Sequence, residues 1–458
     1  AQPHVTLPTC PHVPCATMRD LAPHGVQIAH SRAMLLPLLF LAAVMPPAID
    51  DEAKVPPYTV PDVLIANDGR KVTSAKEWNE TRRGEVMKLV QDHIYGVTPP
   101  AAAPKDAPII EVVESDKNAL GGKATRTQYK VRPNGKDGLV FDLLLYTPNG
   151  AKGPSPVFLG LNFGGNHTTV NDPAVLLPST WVSKQWADVS SNNRATAKGR
   201  GLQASRWQAE LLIARGYGLA TVYCGDFEPD HPEGWKEGIR AAYASKDLAV
   251  VRADNDWACI GAWAWGLSRA LDALERNPAV DAKRVAVIGH SRLGKASLWA
   301  GAQDTRFALV VSNESGCGGA ALGKRIFGET VGVIAGYYKG RGFPHWFAPK
   351  YVTYAEHEDR MPLDQHYVLA LMAPRPLYVA SAVEDRWSDP KGEFLGALYA
   401  EPVFKLLGRQ GLGVTEPPAV GVAVGQDLGY HNRAGKHDVT EEDWKHYLDF
   451  ADRTLPAK

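Results

Sequence analysis

The chain has 458 residues with 50 basic and 50 acidic side chains, and so no formal net charge. That balance lacks the basic footprint of a nucleic-acid binder. Its 45% apolar and 22% charged residues are those of a globular chain, long enough for one large α/β domain or two smaller ones. Twelve tryptophans serve core packing, and tryptophan also stacks on sugar faces.

Residues 1–33 carry no structural pattern and hold Cys10 and Cys15; they read as an upstream segment outside the fold. Residues 34–45, MLLPLLFLAAVM, follow His30, Ser31 and Arg32. That apolar run is too short for a comfortable membrane span and fits the core of a signal peptide, taken as residues 34–50. Export to a periplasm or the exterior is the expectation. Cys224, Cys259 and Cys317 remain, an odd number that leaves at least one thiol unpaired. Residues 55–458 read as a single catalytic domain.

Residues 75–95 have helical spacing, with Trp78, Val86, Leu89 and Val90 before Gly96. Strand-like runs follow at 108–113, 124–131 and 139–146, and Asn134-Gly135 is a hairpin turn. Residues 156–162, PVFLGLN, form a buried strand that ends in Phe163-Gly164-Gly165-Asn166-His167. Two glycines there make either a simple tight turn or a close approach to ligand that helps form an oxyanion hole. Residues 172–201 read as a surface loop. A helix at 207–215, a strand at 218–223 and an apolar helix at 256–274 come next.

The chain is organised around 284–319. An apolar run, 285–288, leads into Gly289-His290-Ser291-Arg292-Leu293-Gly294 and then a helix-forming run, 295–302. Gly-x-Ser-x-x-Gly is one residue wider than the nucleophile elbow Gly-x-Ser-x-Gly, and the physical need is the same. A serine on a strained strand-to-helix turn needs small neighbours, and the helix N-terminus faces developing negative charge. The bland reading is a helix N-cap serine. The next strand, 307–311, ends in Glu314. A Gly- and aromatic-rich insert at 332–351, a helix at 363–372 and a strand at 377–382 follow, the last ending in Asp385-Arg386-Trp387. Residues 419–424 read as the last strand, with His431 and His437 in the loop after it and a closing helix at 441–455.

Acyl transfer needs a nucleophile, a base and a group that orients the base. Ser291 is the nucleophile, Glu314 or Asp385 the acid, and His437 or His431 the base, with His437 favoured for its place before the last helix. His345, His357 and His366 lack compact metal-ligand spacing, and there is no phosphate loop or dinucleotide fingerprint. The predicted architecture is an α/β-hydrolase three-layer sandwich: a mostly parallel sheet with antiparallel N-terminal strands and inserts around the cleft.

At Gly289-His290-Ser291-Arg292-Leu293-Gly294-Lys295, Glu314-Ser315-Gly316, Asp385-Arg386-Trp387 and Gly435-Lys436-His437-Asp438, the chain resembles the bacterial glucuronoyl esterases of carbohydrate esterase family 15. The resemblance runs from about residue 60 to the C-terminus. It implies cleavage of the ester between 4-O-methyl-glucuronic acid on xylan and a lignin alcohol; the two-step serine chemistry requires no cofactor or metal, and a monomer is the expectation. It further implies Arg292 at the oxyanion, and Lys295, Glu329 and Trp387 around the sugar. Glu314 matches the acid of fungal members and Asp385 the acid of some bacterial ones. His290 departs from a disulfide-bonded cysteine of the fungal members. The insert around His345-Trp346-Phe347 resembles bacterial insertions that deepen the cleft. An acetyl xylan esterase and a non-catalytic carbohydrate-binding relative stay open as alternatives.

Overall fold

A mixed sheet of nine strands positions every candidate residue. The computed structural model describes residues 48–98, 108–136, 138–186, 190–243, 253–336 and 342–455. The readings of 1–33 and 34–45 lie outside the described residues. Strands β1 (Ile109–Asn118), β2 (Ala124–Arg132) and β3 (Phe141–Pro148) run antiparallel. β4 (Ser155–Asn162), β5 (Gly218–Tyr223), β6 (Val280–His290), β7 (Leu309–Asn313), β8 (Leu377–Ala382) and β9 (Leu428–Arg433) complete the sheet. Its order is β1-β2-β3-β5-β4-β6-β7-β8-β9, and every pair from β5 onward is parallel. Strand order reverses beside β4 and β6, where open α/β sheets place their sites.

Period-two alternation makes three layers. Val285 and Val287 of β6, Val310 of β7, and Leu377 and Val379 of β8 face one core. Ala286, Ile288, Leu309, Val311, Tyr378 and Ala380 face the other. The first core takes α1 (Cys259–Leu274), α2 (Arg292–Gln303) and α3 (Pro390–Leu406). The second takes α4 (Glu441–Thr454), through Trp444, Tyr447, Leu448 and Phe450. α1 is apolar on nearly all sides because it is buried nearly all round, Trp263 fully so. Within the described residues no helix is long and apolar enough to cross a membrane.

Three readings are corrected. Residues 419–424 are not a strand; the last strand is β9, with His431 inside it, and Val424 only bridges back to Tyr430. The helix read at 207–215 is two short pieces, Ala204–Trp207 and Ala209–Ala214, broken where Gln208 turns left-handed at φ +42°. α3 went unread: Pro390 opens it, and Gly392, Gly396 and Pro402 inside it resemble breakers. Pro390 sits in the first turn, where its missing N–H costs nothing.

Candidate active site

Ser291 stands between β6 and α2 at φ +57° and ψ −133°, a conformation that costs a non-glycine residue strain. The Ser291 N–H donates to Asn313 O at 2.9 Å, and the Gly294 N–H donates to Ser291 O at 2.8 Å. The wider motif has a steric reason. A Cβ at Gly289 would lie 2.0 Å from Leu293 O, and one at Gly294 would lie 3.0 Å from the Ser315 Cβ. The N–H groups of Arg292 and Leu293 fall in the first turn of α2, where no intrahelical acceptor exists. They are placed to meet negative charge growing beside Ser291.

His437 follows β9 and is 40% exposed. Its Nδ1–H donates to Asp385 Oδ2 at 2.6 Å, while Glu314 Oε2 lies 3.2 Å away. Both acids are buried. Glu314 has other commitments: Arg433 donates to its Oε1 at 2.6 Å and the Asp438 N–H to its Oε2 at 3.1 Å. Burial lifts the Glu314 carboxyl to about 8, against the pull of His437 and Arg433. Burial also opposes ionisation of Asp385, yet the hydrogen bond and charge of His437 leave it below the usual carboxylate range. Burial disfavours charge on His437 as well, and the bonds to Asp385 and Glu314 overcome it, raising the ring to about 9. Of the two acids, Asp385 is the nearer to His437, while Glu314 is also held by Arg433 and the Asp438 N–H. His431, the rival base, is fully buried in β9 with Nε2 on Asp443 Oδ1 at 2.9 Å and Nδ1 on the Tyr378 hydroxyl at 3.0 Å.

Arg292 is held from three sides. Its Nε lies 2.7 Å from Asp230 Oδ2, and its guanidinium sits 4.7 Å from the Phe163 ring centre and 5.5 Å from that of Trp346. The other Asp230 oxygen accepts from Trp346 Nε1 at 2.7 Å and pairs with His345 Nε2 at 2.9 Å. The insert therefore locks the arginine that follows Ser291. The loop after β4 supplies Phe163, and Gly165 there takes φ +105° with its N–H on Asn162 Oδ1 at 2.7 Å.

Lys295, Glu329 and Trp387 do converge. The Lys295 ammonium donates to Ser315 O at 2.5 Å and lies 3.4 Å from Glu329 Oε2; Trp387 Nε1 donates to Glu329 Oε1 at 3.0 Å. Lys295 is four residues past Ser291, on the same face of α2. It is buried, whereas Trp387 is 43% exposed, an aromatic face open to a ligand.

Four residues of the site escaped sequence reasoning. Asp230 had no motif. Arg433 bonds Glu314, Asp443 Oδ2 at 2.7 Å, and the carbonyls of Lys436 and Asp438, clamping the loop that carries His437. Asp443 is also the N3 partner of a capping box with Thr440, a signal legible as Thr-x-x-Asp. Glu393, fully buried on the unread α3, accepts from the N–H groups of Ser315 and Gly316 at 2.7 and 3.0 Å and from Ser381 Oγ at 2.6 Å. It fixes the turn that carries Glu314. Cys224, Cys259 and Cys317 are all free and buried.

Serine, acid and histidine in that chain order, all at the carboxyl edge of this sheet, define the class: the protein is an α/β-hydrolase. Comparison with known proteins narrows it. Residues 249–408 match a family model described as glucuronyl esterase, fungi. The carbohydrate esterase MZ0003 of an unknown prokaryotic organism is 49% identical, over 88% of this chain and 91% of its own. The solved glucuronoyl esterase from Solibacter usitatus is 49% identical with a TM-score of 0.81, covering 88% of this chain and 100% of its own. The 4-O-methyl-glucuronoyl methylesterase of Schizophyllum commune is 28% identical over 82% of each chain. This chain belongs to the glucuronoyl esterases of carbohydrate esterase family 15.

Proposed function

We propose that the protein hydrolyses esters of 4-O-methyl-glucuronic acid by way of an acyl-enzyme on Ser291, and that its natural substrate is the ester linking glucuronoxylan to lignin alcohols. The observation that carries this reading is the Lys295–Glu329–Trp387 chain, one helical turn from Ser291. An ammonium, a carboxylate and an open indole face suit a ring bearing several hydroxyls. An acetyl ester would leave them without a joint role, and a binding module would need neither the strained serine nor the His437–Asp385 pair.

His437, its Nδ1–H held by Asp385, offers Nε2 to the Ser291 hydroxyl. As Ser291 Oγ attacks the C6 carbonyl, its proton passes to Nε2 and the carbonyl oxygen becomes an oxyanion. The first-turn N–H groups of α2 and the Arg292 guanidinium face that charge. Collapse breaks the ester C–O bond, and the alcohol leaves with the proton from Nε2. Water then gives a proton to Nε2 as its oxygen attacks the acyl carbon; collapse breaks the bond to Oγ, which takes that proton back from Nε2, releasing glucuronate and free Ser291. The enzyme works exported and as a monomer; support for export is the apolar run at residues 34–45.

The test is a comparison of benzyl glucuronate with an aryl acetate in Lys295→Met and Glu329→Gln variants. Sugar recognition predicts a KM for the glucuronate raised about tenfold or more, from hydrogen bonds to charged groups, with the acetate rate little changed. Equal losses on both esters would contradict it.

A further inference from the structure

His290, the residue before the nucleophile, is used by no step of the mechanism, yet its ring lies against the base. The ring centres of His290 and His437 are 4.4 Å apart with planes tilted by 38°. The other rim of His290 meets Phe163 edge-on, with centroids at 6.2 Å. His290 Nδ1 and Asn313 Oδ1 are 2.5 Å apart, and Asn313 Nδ2 donates to the Tyr447 hydroxyl at 2.8 Å. With the amide oxygen toward His290, the ring carries its proton on Nδ1 and donates it to Asn313 Oδ1. Beside the ring is a cavity of about 30 Å³ lined by Gln203, Trp207, Val439 and Trp444.

We propose that His290 is a positioning residue for the general base: a flat ring that backs His437 and keeps its Nδ1 aligned on Asp385. The inference rests on the reading of His437 as the base. His437 is 40% exposed and its loop follows the end of β9, so the face it lays on His290 is a packed side of an otherwise open ring. The ring must stay neutral to serve, since a second imidazolium at this distance would repel the first. Burial, the His437 charge and Arg206 hold it well below the ordinary histidine range. The charged groups facing it are His437 and Arg433 from β9 and its loop, and Arg206 from the helix Ala204–Trp207. Asp385 and Glu314 lie beyond His437.

His290→Leu and His290→Phe separate positioning from bulk. Both fill the space and both lose the bond to Asn313; only phenylalanine keeps a flat face. On benzyl glucuronate, His290→Leu should lower kcat about 10- to 100-fold, the scale of a misplaced catalytic group, with KM changed less than about twofold. Its acid limb of kcat/KM should move to lower pH as the bond to Asp385 loosens. His290→Phe should recover most of kcat and return the limb. Equal kcat in the two variants, high or low, or an unmoved limb in the leucine variant, overturns the proposal. A His437→Ala control keeps the two readings apart: if it retains activity, the assignment of the base fails, whatever the His290 variants do.

Discussion

Removing Asp385 tests which of two neighbouring acids drives His437. The ring rises from 6.5 to about 9 through its bonds to Asp385 and Glu314. At about 1.4 kcal/mol for each tenfold, that is ~3 kcal/mol of stabilised imidazolium. Because 40% of the His437 side chain is exposed, solvent screening reduces it to ~2 kcal/mol. Asp385 holds the 2.6 Å bond, against 3.2 Å for Glu314, so most of the loss falls on Asp385→Asn. The expected fall in kcat is about 30-fold from charge alone, and larger if asparagine turns the ring to the wrong tautomer. Glu314→Gln should cost less than Asp385→Asn, because Glu314 lies farther from the ring and is already engaged by Arg433 and the Asp438 N–H. The assay is kcat/KM for benzyl glucuronate from pH 5 to 10. The base works unprotonated, so wild-type activity should climb as pH rises toward about 9. In Asp385→Asn the limb should shift to lower pH beneath a lower ceiling. A Glu314→Gln variant crippled more than Asp385→Asn would refute this reasoning.

Asp230→Asn should free the Arg292 guanidinium and the insert together, lowering kcat about tenfold, the scale of a displaced oxyanion donor group. It should also flatten acid stability. Asp230 is held at about 2, since Arg292 and His345 outweigh burial. Its contribution is whole above the unfolded value of 3.8 and fades as pH falls toward about 2, worth ~2 kcal/mol in urea melts of wild type against variant. Glu393, raised to about 8 by burial, is mimicked by glutamine, so Glu393→Gln should melt within about 3 °C of wild type. Glu393→Ala strands two buried N–H groups and should lose about 3 kcal/mol or more. Gly289→Ala, whose Cβ would sit 2.0 Å from Leu293 O, should unfold the elbow and lose soluble protein or all activity; a stable, active variant would count against the steric reading.

Apolar runs were legible wherever the sheet is buried on both faces, and 377–382 coincides with β8 to the residue. The last strand was not, because Leu428–Arg433 carries His431, Asn432 and Arg433. Buried charges there are satisfied by Asp443 and Glu314, partners remote in sequence from the strand or invisible without it. The valine-rich 419–424 looked more strand-like than the true strand. At the site, Ser291, Glu314, Asp385 and His437 were legible because strand ends and chain order mark them. Asp230 and Glu393 were not: Asp230 bonds Trp346 and Glu393 bonds Ser315, each across more than 60 residues, and no local pattern encodes that. The choice between Glu314 and Asp385 likewise needed coordinates, since only they reveal that Arg433 already occupies Glu314.

The central claim is a glucuronate-specific esterase with Ser291 as nucleophile. Its most direct test is hydrolysis of benzyl glucuronate and an aryl acetate, side by side, by wild type and Ser291→Ala. The account predicts rapid cleavage of the glucuronate ester by wild type and a fall of at least about 10³-fold in the alanine variant. Cleavage of the acetate alone, or glucuronate cleavage that survives Ser291→Ala, would contradict it.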